Sequence, residues 1–218
     1  MIKLKKLCTL ITKGTSPSTY GYNFEKNGIK FIRSENLSDS RLLTNVNLFI
    51  SKEANNVLKR SIINENDVLM SIAGAYLGKL AFVTKKDIPS NTNQAVAIIR
   101  IDAKNALPMY IYYYLSSDKI NKYINNINSQ SAQPNINLKQ VGNIPIKLHS
   151  IDEQQHIVDI IVHLIYSLSF YLNFHFLVAI FLIHLKLLLF FPLFLLASYR
   201  WNHQYQHIYL KLKNNHCL

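Results

Sequence analysis

Residues 131–161 read SAQPNINLKQVGNIPIKLHSIDEQQHIVDII, and three local signals follow one another along them. Gln133-Pro134-Asn135 has loop composition, and Asn137 is placed to cap a short helical turn that Gly142 would end. Residues 143–148 then alternate apolar and polar side chains in the manner of a brief strand. Ser150-Ile151-Asp152-Glu153 fits the S-x-x-E capping box, in which the serine oxygen and the glutamate each satisfy a backbone N–H left free at a helix start. A helix is therefore expected to leave the globular body at about Ser150.

Working outward toward the N-terminus, Pro108 fits the first turn of a helix over residues 108–125, which carries Tyr110, Tyr112, Tyr113, Tyr114 and Tyr123. Tyrosines at helical spacing fill cores more often than they stack on bases. Residues 68–72, 78–84 and 94–101 read as strands dense enough in apolar residues for a sheet buried on at least one face. Asn64-Glu65-Asn66-Asp67 is a turn by composition. Residues 45–50 read as a strand, and Ser51 as the cap of a helix over 53–59. Gly28-Ile29-Lys30-Phe31-Ile32-Arg33 reads as a strand leading into Ser34-Glu35-Asn36, and Lys13-Gly14-Thr15-Ser16-Pro17-Ser18 as a loop. Leu4, Leu7, Leu10 and Ile11 fall at helical spacing and predict a short amphipathic helix at the start.

These features, in this order, resemble a target-recognition domain of the specificity (S) subunit of type I restriction-modification systems. The likeness rests on K-G-T-x-P at 13–17 and G-I-x-F-I-R-x-x-N at 28–36. It continues through Asp67-Val68-Leu69-Met70-Ser71-Ile72 with Gly74 and Gly78-Lys79, and Asn93-Gln94-Ala95-Val96. It closes on Asn137-Leu138, Ile144-Pro145-Ile146 and Glu153-Gln154-Gln155 with Ile157-Val158. Two positions depart from the family pattern: Lys30 stands where proline is common, and Asn66 where glycine precedes the aspartate. Asn also tolerates a left-handed turn, so the turn is expected to survive.

The resemblance implies an α/β (α+β) domain over residues 1–149, with a mixed, twisted sheet flanked by helices, and the start of a spacer helix over 150–161. It implies sequence-specific binding of double-stranded DNA, one half of a bipartite target. No catalysis, cofactor or metal is expected on this chain; S-adenosylmethionine, ATP and magnesium would belong to the modification and restriction subunits that are its implied partners. One such domain, where an intact S subunit carries two, makes the chain look like a half-subunit able to pair with a second. The candidate DNA contacts are the polar residues at sheet ends: Lys13, Thr15, Ser71 and Lys79, with the lysines on phosphates, and Arg33, Asn36, Asn91, Asn93, Gln94, Gln130 and Asn135 toward bases. Each of these alone also fits a solvated loop or a turn-forming side chain.

Composition agrees with a polyanion partner. Lys and Arg number 24 against 12 Asp and Glu, a net charge of +12, which favours nucleic acid or an anionic membrane surface without choosing between them. Cys8 and Cys217 lie far apart with no C-x-x-C spacing, so neither a disulfide framework nor a zinc site is indicated. No phosphate-binding loop, H-E-x-x-H or G-x-S-x-G is present. Asp102-Ala103-Lys104 with Asp87 is a faint nuclease-like pattern, and Asp102 is expected simply to end a strand. The basic start lacks the apolar run of a secretory signal, so a cytoplasmic location is expected.

The tail has another character. All 12 acidic residues lie at or before Asp159, and residues 160–185 hold no charged side chain. By hydropathy alone that length is a membrane-span candidate, so a membrane-attached basic protein anchored by 160–185 is the rival reading. A packed continuation of the spacer would need a charged outer face. A shifted reading frame accounts best for residues 162–218. Val, Ala, Asp, Glu and Gly, whose codons all begin with G, number 34 in residues 1–159 but only 4 in the last 59. The six histidines after 159 then need no metal to explain them.

Overall fold

The computed structural model describes residues 1–38, 46–128, 134–168, 170 and 171. The chain divides into two compact units, Met1–Ile160 and Ile161–Leu218. In the second, residues 161–168, 170 and 171 are helical, and Leu164, Tyr166, Leu168 and Phe170 are exposed. Among the described residues no helix is long and apolar enough to cross a membrane. The expectations for residues 172–218, their histidines and reading frame included, lie outside the described residues, as does most of the span proposed over 160–185.

In chain order the first unit's strands are β1 (Ile2–Lys3), β2 (Cys8–Lys13), β3 (Ile29–Ile32), β4 (Phe49–Ile50), β5 (Val68–Ser71), β6 (Leu80–Phe82), β7 (Ser90–Thr92), β8 (Val96–Ile101) and β9 (Pro145–Ile146). Its helices are α1 (Lys52–Val57), α2 (Pro108–Leu115), α3 (Asp118–Asn128), α4 (Leu138–Gly142) and α5 (151–160). The strands divide among three sheets. A four-stranded sheet has the order β2-β8-β5-β6 with every pair antiparallel. A three-stranded sheet has the order β4-β3-β7, in which β3 and β7 run parallel. A two-stranded ladder joins β1 to β9. This is the mixed α+β class that the sequence predicts, with parallel pairing, among the described residues, confined to β3 and β7.

Between the sheets lies one apolar cluster of Ile32, Leu37, Ile63, Leu69, Ala81, Val83, Val96 and Ile98. A second, built from Phe31, Ile50, Ala54 and Leu58, packs α1 onto the three-stranded sheet. Ser51 caps α1 as expected, its Oγ accepting from the Ala54 N–H at 3.0 Å. Asn66 takes φ = 67°, so asparagine does supply the left-handed turn.

The expected opening helix is a strand instead. Leu4–Leu7 forms a single 3₁₀ turn that buries Leu4 and Leu7. The chain then straightens into β2, where Thr9, Ile11 and Thr12 are β-branched and suit an extended backbone. Its partner β8 supplies the backbone hydrogen bonds that an isolated helix turn would have made itself. The single helix expected over 108–125 is two, broken at Ser116 and Ser117. Their hydroxyls donate back to the carbonyls of Tyr112 (2.8 Å) and Tyr114 (2.7 Å), which competes with the helical ladder. Tyr110 and Tyr112 are buried. The Tyr110 hydroxyl donates to the Lys147 carbonyl at 2.6 Å, and Tyr112 meets the Phe82 ring edge-on. These tyrosines are core.

Asp67 ties the four-stranded sheet together. Its carboxylate, 0 % exposed, accepts from Arg100 Nε and Nη2, each at 2.8 Å, and from the Asn64 backbone N–H at 2.7 Å. Arg100 also donates to the Ile62 carbonyl at 3.2 Å, and the bond to Asp67 holds its guanidinium above its ordinary pKa. At the other junction α5 starts in the expected box: Ser150 N–H donates to Glu153 Oε2 at 2.9 Å, and Glu153 N–H to Ser150 Oγ at 3.3 Å. Next to it Gln154 is wholly buried. Its Oε1 accepts from the Leu107 N–H, one of the donors left free at the start of α2, and its Nε2 donates to the His149 carbonyl, both at 2.9 Å.

Two predictions follow from these junctions. Arg100→Leu leaves a fully buried carboxylate without its cation and should cost about 3–5 kcal/mol. Asp67→Asn should cost less, because the Arg100 side chain is 28 % exposed and keeps a path to water; urea midpoints of the two variants rank them. The Glu153 pKa is lowered, chiefly by the Ser150 N–H and hydroxyl. A depressed carboxyl pKa means that the box's ionic contribution is present above the unfolded value, about 4.3, and is lost as pH falls through the folded one. Glu153→Gln should therefore flatten the acid-side pH dependence of stability while leaving neutral-pH helix content nearly unchanged, as read by circular dichroism.

Candidate nucleic-acid interface

The antiparallel order of β2-β8-β5-β6 fixes which strand ends lie together. β2 leaves the sheet at Lys13 opposite Ala97, where β8 begins. β5 leaves at Ser71 opposite Val96, and Met70 faces Leu80 where β6 begins. The parallel pair β3 and β7 leave side by side, Ile32 opposite Thr92, so that Arg33 and Asn93 emerge as neighbours. Thr92 Oγ1 locks this exit by donating to the Ile32 carbonyl at 2.8 Å.

Backbone bonds join these exits into one edge. Gly14 N–H donates to the Asn93 carbonyl at 3.0 Å, and Ile72 N–H to the Ala95 carbonyl at 2.8 Å. A Cβ on Gly14 would stand 1.7 Å from the Thr92 carbonyl oxygen, so only glycine lets the 13–18 loop cross the end of β7. Gly74 N–H donates to the Pro134 carbonyl at 3.0 Å, and Ile136 N–H to the Ile72 carbonyl at 2.9 Å, which brings Asn135 to the same edge beside Ala73.

Lys13 and Gln94 are exposed on this edge, Thr15 and Asn93 half-buried, and Asn135 exposed. Asn93 Oδ1 accepts from the Ala95 N–H at 3.0 Å, which tightens the turn that presents Gln94. Arg33 is half-buried and its Nη2 lies 2.5 Å from Glu35 Oε1. Lys79 immediately precedes the outer strand β6 and lines a cavity of about 360 Å³ together with Tyr112, Ser116, Asn121 and Asn125. Gln130 lies outside the described residues.

Three expected contacts are corrected. Asn36, Ser71 and Asn91 are buried. Asn36 Oδ1 accepts from the Arg33 N–H at 2.8 Å and closes the turn after β3. Ser71 Oγ turns back toward the Ala73 carbonyl at 3.4 Å. Asn91 is fully engaged: its Nδ2 donates to Asn55 Oδ1 (2.9 Å) and the Leu58 carbonyl (3.2 Å), and its Oδ1 accepts from the Thr92 N–H (2.8 Å). These side chains shape the edge from within rather than facing a ligand. Desolvated polar groups satisfied inside the fold have no donor to spare.

The structure also adds a residue that the sequence did not point to. Arg60, exposed on the turn after α1, sets its Nη2 3.4 Å from Thr15 Oγ1. Nothing in its local sequence marks it, because the turn comes to this edge only through the packing of α1. Asp102 caps the turn after β8, accepting from the Lys104 N–H and from Asn105 Nδ2, and Asp87 is buried against Thr84. Among the described residues no group of His, Cys, Asp or Glu could hold a metal ion. The edge thus offers cations, amides and a hydroxyl on rigid strand ends, the chemistry that phosphates and base edges call for.

The type I restriction-modification S subunit EcoBI of Escherichia coli is 35% identical over 133 residues, 61% of this chain and 28% of that protein. The HsdS subunit of Thermoanaerobacter tengcongensis superposes with a TM-score of 0.60 at 17% identity, covering 77% of this chain and 42% of that one. A chain from a structure of the assembly and conformational transition of a type I R-M system gives 0.58 at 22%, covering 77% and 38%. These two superpositions show the fold. The chain spans less than half the length of each of these relatives. The family described as the type I restriction modification DNA specificity domain matches residues 1–170, and the chain belongs to it.

Proposed function

We propose that this chain binds double-stranded DNA in a sequence-specific way, reading one half of a split target for a type I restriction-modification complex. The observation that carries this is the convergence of Lys13, Thr15, Arg33, Asn93, Gln94 and Asn135 on one edge by register and backbone bonds alone. Lys13 and Lys79 neutralise phosphates and set the register of the protein on the duplex. Arg33 offers a fork for the O6 and N7 of guanine; Asn93, Gln94 and Asn135 offer the paired donor and acceptor that adenine needs. The 35% identity to the EcoBI specificity subunit supports the same reading. Methylation, cleavage, S-adenosylmethionine, ATP and magnesium belong to modification and restriction subunits. A second half-subunit supplies the other half of the target.

The full chain, alone and with a type I modification subunit, should enrich a short word from a pool of randomised duplexes; equal recovery of every sequence would overturn the proposal. Arg33→Ala should relax the choice of base at one position by about 1–3 kcal/mol. Lys79→Ala should weaken binding to all duplexes alike and reduce the salt slope by about one. Fluorescence anisotropy over a salt series separates the two effects.

A further inference from the structure

We propose that Glu35 reads DNA together with Arg33, the pair addressing a single guanine–cytosine base pair. This rests on the reading of the edge given above. The 3₁₀ turn Ser34–Asn36 holds the two side chains in fixed relation. Asn36, buried, accepts from the Arg33 N–H at 2.8 Å, and the Asn36 N–H returns to the Arg33 carbonyl at 2.9 Å. Arg33 Nε is buried without a partner, so the stem of the side chain is lodged in the protein and its tip alone reaches outward. At that tip Nη2 meets Glu35 Oε1 at 2.5 Å, with both side chains little more than a third exposed.

The neighbouring cations Lys13, Arg60 and Arg33 favour a carboxylate within the protein, with Arg33 paired to it, but the proposed partner is a polyanion that repels Glu35. Its presence makes sense if it meets a donor. In the major groove cytosine offers its N4 amine, which a carboxylate accepts, while guanine beside it offers O6 and N7 to arginine. Those two base edges are hydrogen-bonded neighbours about 2.9 Å apart, close to the spacing between Arg33 Nη2 and Glu35 Oε1. The ion pair therefore fits across the base pair with each charge facing its complement. Opposite thymine the same carboxylate would be desolvated against the O4 acceptor, so Glu35 also rejects the wrong pair.

The test uses the full chain and the duplex that the parent chain selects from a randomised pool. Each cytosine of the selected word is replaced in turn by 2-pyrimidinone, which lacks the N4 amine and leaves guanine in place. At one position the parent should lose about tenfold in affinity, whereas Glu35→Ala and Glu35→Met, which have no oxygen to accept from the amine, should lose less than about twofold. Glu35→Ala should also bind non-target duplexes more tightly than the parent. If every position costs parent and variants equally, Glu35 only orients Arg33 and the proposal is overturned. If Glu35→Ala fails to fold, as judged by its urea midpoint, Glu35→Met carries the comparison. Selection of no word by the parent would overturn the DNA-reading function itself, a result distinct from a selected word indifferent to the amine.

Discussion

The pairing of Asp67 with Arg100 is the constraint on which the rest of the domain depends. A carboxylate shut away from water must find partners, and Asp67 finds three: two from Arg100 on β8 and one from the Asn64 backbone. Its own carbonyl accepts from Val83, just beyond β6, at 3.0 Å. One residue thus fixes the turn before β5 and the register of β5 against both of its neighbours. Because side chains alternate along a strand, a slip of one residue would turn Leu69 and Ile98 away from the core and move Ser71 out of line with Val96. The order at the far ends of the strands, where the candidate contact side chains emerge, is inherited from this bond.

The two ends of the sheet do different work. At the Asp67 end Gln154 joins α5 to the start of α2, satisfying two backbone groups with one amide. At the opposite end, loops cross tightly, with Gly14 against Thr92, and present polar groups to solvent. The candidate contact edge and the helix junction are kept apart by the length of the strands. Exposed side chains at the polar end can alter without disturbing the Asp67 end, though not the reverse.

Much of this was legible in the sequence, for reasons that can be named. Capping residues act over three or four positions, so Ser51, Asn137 and Ser150 could be read directly, and each does cap. Asn66 was readable because few residues other than glycine and asparagine tolerate its φ. Strands β5, β6 and β8 announced themselves through dense apolar content. What escaped was set by distant partners. Strand β7 is Ser-Asn-Thr, polar in every residue yet buried, and its Asn91 is satisfied by Asn55, 36 positions away. No local window holds that information. The same holds for Asn36 and Ser71, which look like surface polar residues and serve inside, and for Gln154, whose burial depends on α2. The opening strand was misread because Leu4, Leu7, Leu10 and Ile11 match a helix period, whereas pairing with β8 decided the matter.

The buried and exposed amides at this polar edge have different freedom to vary. Asn36 and Asn91 are bound on several sides, and replacing either would strand a donor or acceptor in the interior. Gln94 is exposed to water, and replacing it strands no buried donor or acceptor. A lineage could thus explore new side chains at the rim one at a time, over a frame whose polar joints stay frozen. If the proposed reading of DNA holds, vocabulary would drift while grammar stayed put.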